Sequence, residues 1–331
     1  MREQNLDALV YCNNGIGDFW LSIPAINAIR SHCGRTALVA PPKHLSVLPN
    51  SLRAALTCIP LPEQFGKSRK LTKPEITAYA SARMCRVMVS MDTYKSMAFD
   101  QLCEELEPKE VFGFFNGTDG SHGQALGSHM GDLLFSLARR VCSTRPLSEQ
   151  SFRIAIRDFD AESEERASRI LSHLGAGRKL VVVHTTGSEV EKCLPARVAT
   201  DALLRFLRNS PEFTALVVDV GEFPTVTSDA SLFSAPGLRL STAAAVVARA
   251  QMGLVVDSCF RHQLDSLEIP VVALYGSTNP RLWGRRFGRG KDLVFDTMQA
   301  ASATEIANAL TELVQQMTVS AQGSERTATG A

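Results

Sequence analysis

The stretch GLVVDSCFRHQLDSLEIPVVALYGSTNP, residues 253–280, decides the fold class. An apolar run ends in an acid, a short turn leads into a helical pattern, and a second apolar run ends in a Gly-Ser-Thr-Asn-Pro loop. A strand, a helix and a second strand in this close order form a βαβ unit, whose two strands lie parallel in one sheet. The stretch therefore predicts an α/β protein with a parallel sheet.

The same alternation continues on both sides of this unit as two successive series of similar size. It predicts two doubly wound, Rossmann-like domains, because a barrel would need eight evenly spaced βα repeats, which the sequence does not show. We place the linker in the stretch 150–176 and divide the chain into domains 1–155 and 156–317. Residues 318–331 lack a periodic apolar pattern, which predicts a disordered tail.

The individual elements follow from the period of the apolar residues. The predicted strands are Ala8–Tyr11, Thr36–Ala40, Leu56–Ile59, Arg86–Met91, Val111–Phe115, Lys179–His184, Ala215–Asp219, Leu254–Asp257 and Val271–Tyr275. The predicted helices are Phe19–Cys33, Lys95–Glu107, His129–Cys142, Asp160–Leu174, Arg197–Asn209, Thr242–Ala250, Arg261–Leu267 and Ala303–Met317. The Gly- and Ser-rich stretch 113–132 is typical of a mobile connection.

Composition excludes several classes of protein. A net charge of +1 on 331 residues argues against nucleic acid as a partner, because binding to a phosphate backbone needs a basic excess. No apolar run approaches the roughly 20 residues of a membrane span, and the N-terminus does not resemble a signal peptide, so we expect a cytoplasmic protein. The 8 cysteines form no CxxC pair, which predicts reduced thiols without zinc or disulfides.

The segment NNGIGD, residues 13–18, follows the first strand and opens a helix. Loops at the carboxyl ends of parallel strands bind ligands in open α/β folds. Gly15 and Gly17 permit a tight turn and the close approach of a substrate, and Asp18 directs a carboxylate toward it. From these residues alone, Asp18 is equally well interpreted as the N-cap of the helix. The glycine spacing differs from the GxGxxG of dinucleotide-binding proteins, which argues against a Rossmann-type oxidoreductase.

Two later segments carry polar groups at the ends of predicted strands. In VVVHTTGSEVEKCLP, residues 181–195, hydroxyl and amide groups can donate to phosphate oxygens and a lysine can add a positive charge. After the strand in the opening stretch, an acid can hold a sugar hydroxyl and the amides of a helix N-terminus can bind an anion. The candidate residues are Thr185, Thr186, Gly187, Lys192, Asp257, Ser258, Cys259, His262, Ser277 and Thr278. A solvent-facing lysine and a structural histidine are the alternatives for Lys192 and His262.

These three segments, in this order, resemble the ADP-heptose:lipopolysaccharide heptosyltransferases, glycosyltransferase family nine. Members of that family read G-[DI]-G-D near the N-terminus, K-x-W-P in mid-chain, and D-x-G-x-x-H followed by P-V-V-x-L-[FY]-G-x-T-x-P. The resemblance runs from about residue 8 to 317, and the HTT sequence that begins at His184 is closest to the heptosyltransferase I branch.

The resemblance implies a GT-B fold, in which the two domains face each other across a cleft, and an ADP-sugar donor bound by the C-terminal domain. Asp18 matches the family's general base, Thr185, Thr186 and Lys192 match its donor-phosphate contacts, and Asp257 and His262 match the ends of D-x-G-x-x-H. We expect an inverting transfer of a heptose or related sugar to an acceptor hydroxyl, as in lipopolysaccharide inner-core assembly. With no D-x-D motif near either sheet edge, we expect neither a metal nor a cofactor.

The sequence departs from the family pattern at two positions. Cys259 stands where the family has glycine, and Leu194 replaces the tryptophan of K-x-W-P. Two alternatives therefore remain: a relative that glycosylates a natural product or a protein with a different nucleotide-sugar, and a non-catalytic protein that binds a nucleotide-sugar.

The acceptor side is predicted from a basic loop, QFGKSRKLTKPE, residues 64–75. Its cations can bind an anionic sugar, lipid-linked or small-molecule acceptor, which would allow peripheral membrane contact, although such a run is also typical of a solvated surface. With the two glycines of the first loop, the predicted acceptor residues are Gly15, Gly17, Lys67, Arg69, Lys70 and Lys73.

Overall fold

The computed structural model describes residues 7–62, 69–73, 75–76, 85–114, 128–143, 147–148, 157–175, 177–221, 223 and 231–328, with side chains to residue 319. The chain divides into two compact units. The first comprises Met1–Phe159 with Arg281–Trp283, and the second comprises Asp160–Pro280 with Gly284–Ala331. The main division thus falls within the predicted linker, four residues beyond the predicted boundary after residue 155.

The first unit contains a parallel five-stranded sheet in the order β3-β2-β1-β4-β5. Its strands are β1 (Ala8–Tyr11), β2 (Thr36–Ala40), β3 (Thr57–Pro60), β4 (Val87–Ser90) and β5 (Glu110–Phe112). Its helices are α1 (Ile16–Cys33), α2 (Pro42–Leu45), α3 (Asn50–Ala54), α4 (Met97–Leu106) and α5 (Met130–Val141). The central strands β1, β2 and β4 are buried throughout, as expected when both faces of a parallel sheet are covered.

The second unit contains a parallel six-stranded sheet in the order β11-β10-β9-β6-β7-β8. Its strands are β6 (Lys179–His184), β7 (Phe213–Val217), β8 (Leu232–Ser234), β9 (Met252–Val256), β10 (Val271–Tyr275) and β11 (Gly290–Val294). Its helices are α6 (Ala161–Ser172), α7 (Ala196–Asn209), α8 (Leu240–Val247), α9 (Cys259–Ser266) and α11 (Ala303–Ala328), and the short α10 (Pro280–Trp283) lies at the division between units. Counted within this unit, the strand order is the 3-2-1-4-5-6 order of a Rossmann fold.

Several boundaries differ from the predictions for physical reasons. Helix α1 begins at Ile16 rather than Phe19, because Gly17 and Asp18 are helical. It ends at Cys33, as predicted, and the C-cap residue Gly34 has a φ of 81°, which favours glycine. Strands β8 and β11 were not predicted, since each carries polar residues and lies at an edge of the sheet.

The last helix extends beyond its predicted end at Met317. Helix α11 continues to Ala328, because a helix already nucleated by an amphipathic segment extends at low cost through Ala, Gln, Glu and Arg. None of the helices in the described ranges combines the length and the apolar character needed to cross a membrane.

Candidate functional site

Each sheet has one point where the strand order reverses, and open α/β sheets bind ligands outside the carboxyl ends of the strands at that point. In the first sheet the reversal lies between β1 and β4, and in the second it lies between β6 and β9. The loop with Asp18 follows β1, the Thr185–Thr186 loop follows β6, and Asp257 follows β9. These predicted residues thus follow the strands at the reversal point of each sheet.

In the second unit, the structure brings Lys192 and Asp257 together. The Nζ atom of Lys192 lies 3.7 Å from Oδ2 of Asp257, and both side chains are only partly exposed. Lys192 ends a short 3₁₀ segment, Val190–Lys192, and Asp257 directly follows β9. Lys192 therefore lies beside a carboxylate with most of its side chain covered, rather than facing solvent.

Helix α9 begins immediately after Asp257 without a side-chain cap. Ser258 is the N-cap residue, yet its hydroxyl accepts no hydrogen bond from the first turn. Its Oγ atom is buried and has no hydrogen-bond partner in the part of the chain that the structure describes. Cys259, the residue in place of the family's glycine, is the first residue of the helix and is half-buried. Uncapped amides at a helix N-terminus attract anions.

A fully buried arginine, Arg261, lies beside the carboxylate of Asp257. The Nε atom of Arg261 is 3.9 Å from Oδ1 of Asp257, and its side chain has no exposed surface. Its Nη2 atom lies 2.7 Å from Nε2 of His262. Because a guanidinium only donates, the imidazole must accept at this contact. His262 is also buried, which favours the structural interpretation of that histidine.

The loop after β6 differs from its predicted role. A buried carboxylate, that of Asp219, accepts hydrogen bonds from the amide of Thr185 at 2.9 Å and from its hydroxyl at 2.5 Å. The same carboxylate accepts from the hydroxyl of Thr186 at 3.1 Å and from its amide at 3.3 Å. These donors were expected to point at donor phosphates, but in the structure they satisfy a protein carboxylate, which is costly to bury without partners.

The end of this loop packs against Lys192. A Cβ atom added to Gly187 would lie 2.5 Å from Cβ of Lys192, so only glycine allows this approach. The amide of Gly187 donates to Sγ of Cys193 at 3.3 Å. Gly187 thus helps to fix the position of Lys192.

Ser277 is exposed and Thr278 half-buried in the loop after β10, at the same edge of the sheet.

In the first unit, the structure resolves the two interpretations of Asp18. Gly15 is the N-cap residue of α1, and Asp18 lies in the first helical turn, half-buried. Asp18 is therefore not the N-cap. Gly15 has a φ of −58°, which any residue adopts, so the tight turn does not require glycine there. A Cβ atom added to Gly15 would meet nothing within 4 Å, so the protein leaves open space beside this residue.

A network of polar groups holds the loop that precedes Asp18. The amide of Asn13 donates to Oδ1 of Asp92 at 2.6 Å, and the hydroxyl of Tyr94 donates to the carbonyl of Asn13 at 2.7 Å. The side chain of Asn14 donates to the carbonyl of Met91 at 2.6 Å. These contacts tie the loop after β1 to the residues that follow β4.

A buried histidine completes this network. Nε2 of His44 lies 2.8 Å from the carbonyl oxygen of Asn14, so the neutral ring donates to it. Burial lowers the pKa of His44 to about 4. Burial, followed by the nearby charge of Asp92, raises the pKa of the Cys12 thiol, and Asp18 adds to this effect. The carboxylates of Asp18 and Asp92 therefore both lie near Cys12, at the end of β1.

The predicted acceptor cations are only partly described. Lys67 lies outside the described residues, while Arg69, Lys70 and Lys73 are exposed. Arg69 pairs with Glu75 at 2.9 Å, which offsets its charge. Among the described residues, no group of three or more His, Cys, Asp or Glu side chains could hold a metal ion.

Sequence reasoning missed Asp92, Asp219, Arg261 and His44. Asp92 and Asp219 each follow the end of a strand, at β4 and β7, so the rule that identified Asp257 also applies to them. Arg261 and His44 gave no such signal, because an arginine or histidine on a helix is usually interpreted as partly exposed.

Part of the chain matches the model of a known protein family. Residues 227–313 match the model of glycosyltransferase family 9 (heptosyltransferase). This range includes Asp257, His262, Ser277 and Thr278, but neither Asp18 nor Lys192. A comparison with curated protein sequences finds no match.

Solved structures show the same fold along nearly the whole chain. A glycosyl transferase family 9 protein from Veillonella parvula has a TM-score of 0.73 and 14% identity, covering 95% of this chain and 98% of that one. The E. coli ADP-heptose lps heptosyltransferase II has a TM-score of 0.70 and 13% identity, covering 94% and 99%. The E. coli heptosyltransferase WaaC with ADP has a TM-score of 0.65 and 15% identity, covering 92% and 99%.

These findings confirm the predicted α/β, GT-B fold class and the resemblance to family nine, whereas placement in the heptosyltransferase I branch stays a prediction. The chain is therefore similar to glycosyltransferase family 9 over residues 227–313, and it shares the fold of solved heptosyltransferases along nearly its whole length.

Proposed function

We propose that the protein is an inverting, metal-independent glycosyltransferase that transfers a heptose or related sugar from an ADP-sugar to an acceptor hydroxyl, as in lipopolysaccharide inner-core assembly. One observation carries the proposal. Lys192 and Asp257, far apart in the chain, meet 3.7 Å apart beside the uncapped N-terminus of α9. A lysine, a carboxylate and the amides of a helix N-terminus are the groups that hold a ribose and a diphosphate.

The second unit would bind the donor. Lys192 and the first amides of α9 would face the diphosphate, and Asp257 would hold a sugar or ribose hydroxyl. Ser258, Cys259, Ser277 and Thr278 would line the same edge, while His262 would lie behind them as a structural residue. Thr185, Thr186 and Gly187 would join them only where their donors turn away from Asp219. The likeness to a heptosyltransferase solved with ADP supports an adenine nucleotide.

Asp18 in the first unit would act as the general base. Its carboxylate would remove the proton from the acceptor hydroxyl, which attacks the anomeric carbon as the nucleoside diphosphate leaves from the opposite face. A positioned base of this kind contributes about 10²–10⁴-fold to the rate. The charge that develops on the leaving group would be met by Lys192 and the α9 amides, and fixed donors of this type usually make the larger contribution.

The acceptor would bind in the first unit near Gly15 and Gly17. The exposed cations Arg69, Lys70 and Lys73, together with Lys67, suit an anionic acceptor such as a sugar acid or a phosphorylated lipid-linked sugar. A cytoplasmic location with peripheral membrane contact follows from an acceptor of this class.

Nucleotide binding tests the donor assignment. Isothermal titration with ADP, UDP, GDP, CMP and NAD should show selective binding of ADP. Preference for UDP or GDP would instead support a relative that uses another nucleotide-sugar. Cys259, which stands at the start of α9 where the family has glycine, would be the structural reason for the changed preference. Binding of NAD alone would overturn the glycosyltransferase proposal.

Metal independence has its own test. Transfer activity should be unchanged by EDTA, because Lys192 and the α9 amides would supply the charge that a divalent cation supplies elsewhere. Loss of activity in EDTA that is restored by Mg²⁺ would contradict this part of the proposal.

A further inference from the structure

Arg261 lies beside the proposed donor site, and the proposed chemistry gives it no role. Its side chain is fully buried, and among the described residues its Nε and Nη1 atoms have no hydrogen-bond partner. A buried guanidinium is costly unless a carboxylate and hydrogen bonds compensate it. Its nearest carboxylate, that of Asp257, is 3.9 Å away.

Asp257 lies between two cations rather than beside one. Its Oδ1 atom faces Arg261 and its Oδ2 atom faces Lys192 at 3.7 Å. One carboxylate therefore serves two positive charges, and the three groups together carry a formal charge of one positive unit. Of the two cations, only Lys192 reaches water, with 22% of its side chain exposed against 0% for Arg261.

We propose that Arg261 is a positioning residue that takes up the charge of Asp257 and so leaves the ammonium of Lys192 available for the donor diphosphate. Without the guanidinium, Lys192 would be the sole partner of Asp257, and the pair would be electrically neutral. The guanidinium is too deeply buried to touch a ligand itself, so its effect passes through the neighbouring pair. This inference rests on the proposed function, in which the donor binds at Lys192.

The test compares a ligand that carries phosphates with one that does not. ADP and adenosine are titrated by calorimetry into wild-type protein and into the R261M, R261K, K192M and R261M/K192M variants. We expect R261M to raise the Kd of ADP about tenfold or more while the Kd of adenosine is unchanged, because only the diphosphate meets Lys192. R261K, which retains the positive charge, should recover most of the affinity.

The double variant separates positioning from direct contact. If Arg261 acts through Lys192, R261M should change the Kd of ADP less than about threefold in the K192M background, because residues of one network are not additive. Additive effects would overturn the proposal, as would equal weakening of ADP and adenosine. R249M, which removes an arginine that pairs with Glu164 at 2.5 Å elsewhere in the unit, is the matched control.

Thermal unfolding of each variant checks that the fold persists, and R261Q replaces R261M with the same expected result if R261M does not fold. Wild-type binding separates the two proposals. If the wild-type protein binds no nucleoside diphosphate, the donor site itself is wrong and this inference falls with it. If wild type binds ADP and R261M or R261Q binds it equally well, only the role of Arg261 is wrong.

Discussion

The two units have related sheets but use charge differently at the point where strand order reverses. In the first unit, neutral groups such as Asn14 and His44 fix the loop after β1, and the charges near it are the carboxylates of Asp18 and Asp92. In the second unit, a carboxylate, Asp219, fixes the loop after β6, while Lys192 and Arg261 outnumber Asp257. The same sheet topology thus carries an acidic site in the first unit, whereas in the second unit each carboxylate is matched by cations or by hydrogen-bond donors.

The largest expected effect comes from the acidic site. D18N should lower kcat by about 10²–10⁴-fold, because the acceptor hydroxyl loses its base. Steady-state kinetics measure this, and calorimetry should show unchanged nucleotide affinity, because the proposed nucleotide site is in the other unit. D100N, at another first-turn acid of the first unit, is the control and should retain activity. A D18N enzyme with wild-type kcat would remove Asp18 from the mechanism.

In the second unit, D219N should destabilise the protein by about 2–3 kcal/mol, because buried donors of Thr185 and Thr186 lose a charged acceptor. Urea unfolding gives this free energy. D201N, at an exposed carboxylate of α7, should change it little. Unchanged stability in D219N would mean that the carboxylate does not hold the loop, and the contrast between the units would weaken.

The neutral histidine of the first unit predicts a dependence of stability on pH. The pKa of His44 is about 4 when folded against an ordinary value of 6.5, so below pH 6.5 the unfolded chain binds a proton that the folded chain does not. The contribution of neutral His44 to the free energy of unfolding is complete above pH 6.5 and is lost as the pH falls toward 4. At pH 5 the loss amounts to about 2 kcal/mol.

Chemical unfolding at pH 7 and at pH 5 measures this contribution. H44Q should flatten the dependence between these two values, because glutamine does not titrate. H173Q, at an exposed histidine of the second unit, serves as the control and should leave the dependence unchanged. Parallel curves for wild type and H44Q would show that His44 titrates normally in the folded protein.

The smallest effect is expected at the basic loop. K70E and K73E should raise the KM of an anionic acceptor about threefold to tenfold and leave the KM of the donor unchanged, since exposed charges act weakly through water. K109E reverses an exposed lysine elsewhere in the first unit and should alter neither constant. Equal changes in both KM values for K70E or K73E would indicate a structural role.

Elements with a local signal in the sequence were predicted, and elements without one were missed. Buried central strands such as Ala8–Tyr11 and Lys179–His184 were predicted to the residue, because a continuous apolar run is itself the signal. The edge strands Leu232–Ser234 and Gly290–Val294 were missed, since edge strands with mixed polar residues lack that run. Asp257 was identified by its place after a strand, whereas Arg261 resembled any helical surface arginine.

The α/β class, the two units and the polar residues that end the strands were predictable from the chain, because these features depend on apolar runs and their neighbours in sequence. Which of those polar residues meet depends on the order of the strands in each sheet. Strand β6 lies between β7 and β9, so Asp219 reaches the Thr185–Thr186 loop from one side and Asp257 meets Lys192 on the other. The strand order, which joins distant segments of the chain, sets the charge of the site.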